Sequence, residues 1–353
     1  MRCGEPGNES ARIRLYRYPC RVNPRPARLS PWAGLFGFCL AALVLHLALG
    51  GSVPLTFGQI WSALSAGPNS LSDDLANTVV WQIRLPRGLA GMLVGMALGA
   101  AGGALQVTLR NPLAEPYVLG VSGGAAAVGT FGILVGWSGL VLMGLATLGG
   151  VGALVLVLVM VGRQSAGRTE RLLVAGVVIG ALLSALTTLN LSLAGQDSGR
   201  ILAWLLGSLA NIEWSRVGVL AALALACTAG LLALGRPMDV MALGDDIAHT
   251  TGLATARYRQ GVLLLAALAT AAAVGTAGII GFLGLVGPHL AALTMGGRAR
   301  TRILGGALYG GALLVLADLL AQRIRPGLEV PVGIVTALLG APALLWVMRR
   351  ARS

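Results

Sequence analysis

The side chains able to do chemistry in this 353-residue chain are few, and they stand in short polar segments between long apolar runs. Arg84-Leu-Pro-Arg87 precedes one run, and Arg110-Asn-Pro-Leu-Ala-Glu-Pro116 and Leu119-Gly-Val-Ser-Gly-Gly124 follow it. A second group is Leu243, Gly244, Asp245, Asp246, Ile247 and Ala248, closed by Gly252. A third runs Gly281-Phe-Leu-Gly-Leu-Val-Gly-Pro-His289, then Ala317-Asp318, Pro331-Val-Gly-Ile-Val-Thr-Ala337 and Gly340-Ala-Pro342. Arginine pairs engage carboxylates through their forked donors. Adjacent acids early in a short polar segment suit a helix N-terminus, and a glycine suits its end. Asp318 is the clearest acid inside an apolar stretch, and such groups are functional or internally satisfied; hydrogen bonding near the end of its span is the expected arrangement.

Other chemistries lack their residues. All 26 basic residues are arginine. A P-loop needs the lysine of G-x-x-x-x-G-K-[ST] to reach the β and γ phosphates, so no ordinary Walker A site and no Schiff-base lysine can be assembled. Cys3, Cys20, Cys39 and Cys227 show no metal-ligand or disulfide spacing. His46, His249 and His289 are scattered, so neither a metal ligand set nor a nucleophile–base pair is visible. The sequence pI near 11.2 is read as the charge bias of a membrane protein rather than as a nucleic-acid footprint.

The elements that must position these residues are membrane helices. With 56% hydrophobic and 11% charged residues and a mean hydropathy of +0.80, the chain falls far below the roughly 25% charge of soluble domains. The runs are continuously apolar rather than alternating, which excludes a barrel. Segments long enough to cross the hydrocarbon core lie near 33–51, 87–109, 115–135, 139–161, 171–194, 214–234, 258–276, 279–296, 303–322 and 331–348. The reading is therefore an all-α polytopic membrane protein of about ten spans. Only Gly275, Thr276, Ala277 and Gly278 part the seventh from the eighth, so nine spans stay open. The first run, Trp32 to Gly51, exceeds the 7–15 residues of a signal-peptide core and reads as an uncleaved span. Residues 1–30, rich in Arg and Pro, read as a disordered cytoplasmic arm before a permease domain over 31–353.

Charge orients these spans. With the N-terminus inside, 20 of the 26 arginines fall on the cytoplasmic side and six outside: Arg84, Arg87, Arg200, Arg216, Arg323 and Arg325. Both termini are therefore expected in the cytoplasm. Arg84 and Arg87 resist that bias, which implies anionic partners. Gly91, Gly95, Gly99 and Gly103 place a smooth stripe on one face of the second span, where another backbone of the same chain can approach.

RLPR, RNPLAEP, LGVSGG, WLLGSL, ALGDDIA, GFLGLVGPH, AD and PVGIVTALLGAP together resemble, in order and spacing, the permeases of bacterial ABC importers for ferric siderophores, haem and cobalamin, over roughly residues 80–349. The resemblance implies a ten-span subunit of the inner membrane that forms a homodimer or a heterodimer with a related permease. It also implies two cytoplasmic ATPase partners, which use the ATP, and an extracytoplasmic substrate-binding protein; the chain itself binds no cofactor. Within the cytoplasmic loop at about 236–257, the resemblance assigns coupling to the ATPase to Leu243, Gly244, Asp245, Asp246, Ile247, Ala248 and Gly252. It assigns docking of the binding protein to Arg84 and Arg87. The family's further arginine, in ADLLAR, is replaced by Gln322, with Arg323 or Arg325 as substitutes. For the pathway it points to the fifth span, with Ser184, Thr187, Thr188 and Asn190, and to Trp204–Leu209 as a short outer helix bearing Gly207 and Ser208. No strong ligands cluster there, so the cargo is expected to pass already chelated. An ion-coupled secondary transporter is the alternative, but it would show paired intramembrane charges and repeated halves with interrupted helices. Asp318 stands nearly alone, and no repeat is evident.

Overall fold

The computed structural model describes residues 30–68, 75–162, 169–324 and 330–350. The Arg/Pro-rich arm before residue 30, Arg163, Arg168 and Arg325 lie outside them. The described residues are helical, without strands: α1 (Pro31–Leu49), α2 (Phe57–Ala66), α3 (Leu75–Thr78), a π-helical turn (Val79–Arg84) running into α4 (Leu85–Thr108), α5 (Val121–Leu134), α6 (Gly139–Val161), α7 (Thr169–Leu193), α8 (Ser198–Leu205), α9 (Trp214–Ala233), α10 (Gly235–Ala242), α11 (Asp245–Thr250), α12 (Thr255–Ala277), α13 (Leu283–Met295), α14 (Ala299–Ile324) and α15 (Val332–Arg350). Seven of these, counting Leu75–Thr108 as one, are long and apolar enough to cross a membrane. Three shorter apolar helices, Val121–Leu134, Leu283–Met295 and Val332–Leu344, fall where the remaining spans were expected.

The expected seventh and eighth spans are separate helices. Gly278 (φ +75°) and Phe282 (φ +69°) put the connecting backbone in the left-handed region, which no helix continues through. Two features of the outer loops differ from expectation. Residues 57–66 form a helix opened by a capping box, in which the Gln59 amide donates to Thr56 Oγ1 and the Thr56 amide to Gln59 Oε1. The short helix expected at Trp204–Leu209 instead occupies Ser198–Leu205, and Gly207, at φ +77°, lies beyond its end.

Burial sorts the helices into a centre and a periphery. In the apolar windows of Leu75–Thr108, α12 and α14, 83%, 72% and 67% of residues are buried, against 22% for α1 and 17% for α7. The central contact is backbone on backbone. A Cβ on Gly95 would strike the carbonyl of Gly310, one on Gly99 that of Gly306, and one on Gly103 would lie 2.6 Å from that of Arg302. Gly284 and Gly287 of α13 close the same seam against Gly102, Gly306 and Gly310. The stripe thus packs within the chain. Methyl groups at these seams force the helices apart, whereas Gly152 on α6 meets nothing within 4 Å. Gly99→Ala and Gly306→Ala are therefore expected to cost about 1–3 kcal/mol or more and to lower folded yield in a fluorescence-detected gel-filtration assay. Gly152→Ala should be neutral; equal yields for all three would refute the seam.

Candidate functional site

At the outer end the sequence places two arginines three residues apart, and the π-helical turn delivers both into the protein. Arg87 is 8% and Arg84 2% exposed. Asp318 of α14 accepts from Arg87 Nε at 2.8 Å and Nη2 at 3.0 Å, and from Gln322 Nε2 at 2.6 Å. His46 Nε2, at the end of α1, stands 3.0 Å from Asp318 Oδ2. The acceptor-only carboxylate puts the ring proton on Nε2 and leaves Nδ1 buried without a partner. Arg84 donates to the carbonyls of Leu47, Ala48 and Val53, and Arg323 to that of Leu49. Arg216 donates to Thr276 O in the last turn of α12.

Arg87 therefore has an acidic partner, but it belongs to the same chain, and Asp318 is not alone. Arg84, Arg216 and Arg323 serve last-turn carbonyls and the loop beyond them, groups a helix cannot satisfy itself and whose dipole favours cations. Gln322 joins two elements: its oxygen accepts the Gly51 amide while its nitrogen binds Asp318. An arginine there could make neither the first bond nor a neutral neighbour for Arg87. His46, Arg84, Arg87, Asn211 and Gln322 line a pocket of about 250 Å³ at this end.

A second constellation gathers four of the sequence segments around Gly278–Phe282. The Phe282 amide donates to Glu115 Oε1 at 3.0 Å. Tyr117 Oη donates to Ile280 O at 2.7 Å and accepts from Ile280 N at 3.1 Å. Ser208 N donates to Ala277 O at 2.8 Å. A Cβ at Gly333 would meet the carbonyls of Leu206 and Ile279, and one at Gly340 the Phe282 side chain. Non-helical backbone survives inside a membrane protein only where such bonds or a cavity satisfy it. Beside this knot, Ser184, Thr187 and Thr188 of α7 line a cleft of about 440 Å³ with Tyr117, Ser122 and Ile279. Asn190 is engaged elsewhere, donating to Ala127 O and Thr130 Oγ1. Gly207 and Ser208 belong to the knot rather than to the lining.

At the opposite end α10 and α11 form two short helices within the polar loop. α11 begins at Asp245, and Gly252, at φ +73°, follows its end. Ala248 is fully buried and anchors α11, while Leu243 and Ile247 are 66% and 49% exposed and Asp246 is exposed beside them. Gly244, at φ +127°, lies near Arg110. Asp239 of α10 accepts the Ala299 amide at 2.7 Å and so caps α14.

The outer pair yields a prediction. Removing one partner of a buried ion pair costs about 3–5 kcal/mol, mostly by orphaning the other, whereas replacing both by apolar groups is far milder. Asp318→Leu should sharply lower thermal stability in detergent, and Arg87→Met added to it should restore most of the loss; a double variant no better than the single would show the pairing to be unimportant.

Residues 38–350 match the FecCD transport family. The chain is 34% identical over 89% of its length, and 93% of the relative, to a vitamin B12 import system permease protein of Yersinia enterocolitica. It is 37% identical to a hemin transport system permease protein of Yersinia pestis, covering 90% of this chain and 96% of that one. A solved structure of a metal-chelate type ABC transporter in an inward-facing conformation superposes with a TM-score of 0.80 at 29% identity, covering 90% of this chain and 98% of the other. With its apolar helices and the charge bias of its loops, this chain is a multi-pass inner-membrane permease, and it belongs to the FecCD transport family.

Proposed function

We propose that this permease moves a bulky, already chelated cargo, an iron–siderophore complex or a related macrocycle such as haem or cobalamin, inward across the membrane. Energy comes from separate ATPase subunits seated on α10 and α11. The observation that carries this reading is the exposed pair Leu243, between α10 and α11, and Ile247, beside Asp246 on the helix pinned by the buried Ala248. An exposed apolar pair on an ordered cytoplasmic loop suits a partner's groove. Family membership supports a transport subunit that leaves nucleotide hydrolysis to its partner, as does the absence of any lysine for a P-loop.

On the outer face we infer a docking surface for the cargo-binding protein around the arginine-lined pocket, extended by the exposed Arg323 that follows Gln322 of its lining. Cargo would then move along the face of α7 that carries Ser184, Thr187 and Thr188, opposite a second permease chain, identical or related.

Two experiments test this. Asp245→Arg with Asp246→Arg should leave the protein inserted but abolish co-purification of the ATPase and uptake, since like-charge contact at a docking surface costs several kcal/mol; normal uptake would refute the assignment. Arg323→Glu should slow binding-protein association roughly tenfold in the folded, gel-filtered fraction, with a smaller loss of yield than Arg84→Ala because it frees only the Leu49 carbonyl, as exposed interface charges act on encounter rates. Arg84→Ala should chiefly lower yield by freeing the carbonyls of Leu47, Ala48 and Val53. Unchanged association for Arg323→Glu at low salt would remove it from the docking surface.

A further inference from the structure

A cleft of about 400 Å³ lies where the first turn of α1, the last turn of α9 and the first turns of α14 meet, lined by Trp32, Leu232, Ala233, Arg300, Thr301 and Leu304. These three helix ends share the face with the arginine excess, away from the His46–Asp318 network. We propose that this cleft binds the head group of an anionic phospholipid of the cytoplasmic leaflet, with an acyl chain lying on Leu232 and Leu304.

The side chain of Arg300 is held in place rather than waving. Its Nε donates to Leu232 O at 3.1 Å, and its stem crosses Gly235 so closely that a Cβ there would stand 2.5 Å from Arg300 Cγ. That bond uses one of the five guanidinium donors, and the terminal amino groups have no partner among the described residues. The Thr301 hydroxyl and the Trp32 indole N–H also find none there. Three kinds of donor thus border one apolar-walled cleft, and among the described residues its lining includes no acidic side chain. The nearby acid, Asp239, is already committed to the Ala299 amide. Arg236, Arg298 and Arg302 add positive charge to the same end.

A phosphodiester matches forked guanidinium donors and a hydroxyl. Tryptophan belongs at the level of head groups, and basic clefts between membrane helices on the cytoplasmic side suit anionic lipids. The apolar walls and the peripheral position of α1, 22% buried in its apolar window, favour a lipid over a free anion, which would use only the polar rim.

The test uses the full chain purified in detergent, titrated with phosphatidylglycerol, phosphatidylcholine or inorganic phosphate, and read by native mass spectrometry and thermal shift. Phosphatidylglycerol should remain bound to the wild type and raise its melting temperature. Arg300→Gln with Thr301→Val should retain at least tenfold less of it than Arg257→Gln, which removes the same charge from an exposed site on the same face. Should that double variant fold poorly, Trp32→Phe with Thr301→Val, which keeps the arginine and the bulk, should by itself lower retention several-fold. Equal retention by the cleft variants and by Arg257→Gln would overturn the site in favour of diffuse charge attraction. Equal retention of phosphatidylcholine, or equal stabilisation by inorganic phosphate, would overturn the anionic-lipid assignment.

Discussion

Helices in lipid gain little by hiding apolar side chains from one another, because the solvent is as apolar as leucine, so α4 and α14 are held by how closely their backbones approach. Gly95 against Gly310 and Gly99 against Gly306 let the two axes come within reach of each other's carbonyls, where every atom on both sides gains dispersion contacts. The register of that seam decides what happens elsewhere. With Gly99 locked to Gly306, the outer end of α14 carries Asp318 to the first turn of α4, where Arg87 stands just after the π-helical turn.

The outer end then becomes an account of charges that the membrane does not favour. Four of the arginines on that side are matched inside the protein: Arg87 by Asp318, Arg84 and Arg323 by carbonyls at and beyond the end of α1, and Arg216 by that of α12. Each match satisfies a helix end or a carboxylate that would otherwise stand unpaired near hydrocarbon. The same side chains leave a polar pocket at the surface, so the groups that fasten α1 to the core also shape the outer face.

The helices were legible in the sequence because a span has a length and a composition that little else imitates, and glycine or proline marked where α5, α13 and α15 start. The loop helices were less so. The Thr56–Gln59 capping box was there to be read, but the amphipathic helix it opens is only ten residues long. The displacement of the short helix to Ser198–Leu205 reflects a glycine, Gly207, that stops a helix rather than sitting within one. The Arg87–Asp318 pair was hidden by 231 residues of separation, although its two halves were each conspicuous: an arginine on the disfavoured side and an acid in an apolar run. Their shared position at outer helix ends was the available signal, and joining them needed the glycine seam as a measure of register. Among the residues expected along the pathway, Ser184, Thr187 and Thr188 share a cleft because they recur on one face of α7, whereas Asn190 falls against α5.

α14 ties the two ends of the molecule together. It is a continuous helix of 26 residues, roughly 39 Å long at 1.5 Å per residue. Its first amide is bound by Asp239 of α10, next to the proposed ATPase seat, and Asp318 near its far end holds Arg87, His46 and Gln322. Between those ends it is wedged against glycine backbones that leave no room to slide without repacking α4 and α13. A helix bonded at both ends and seamed along its length carries a tilt as a rigid body, where a chain of loops would absorb it. The Gly278–Phe282 knot is held differently: its left-handed residues are kept in place by Glu115, Tyr117 and α15. Closely packed interfaces switch between discrete arrangements rather than deforming smoothly. Ile279 of that knot lines the α7 cleft, so on the proposed pathway a cargo passes beside backbone held by side-chain bonds rather than by a helix.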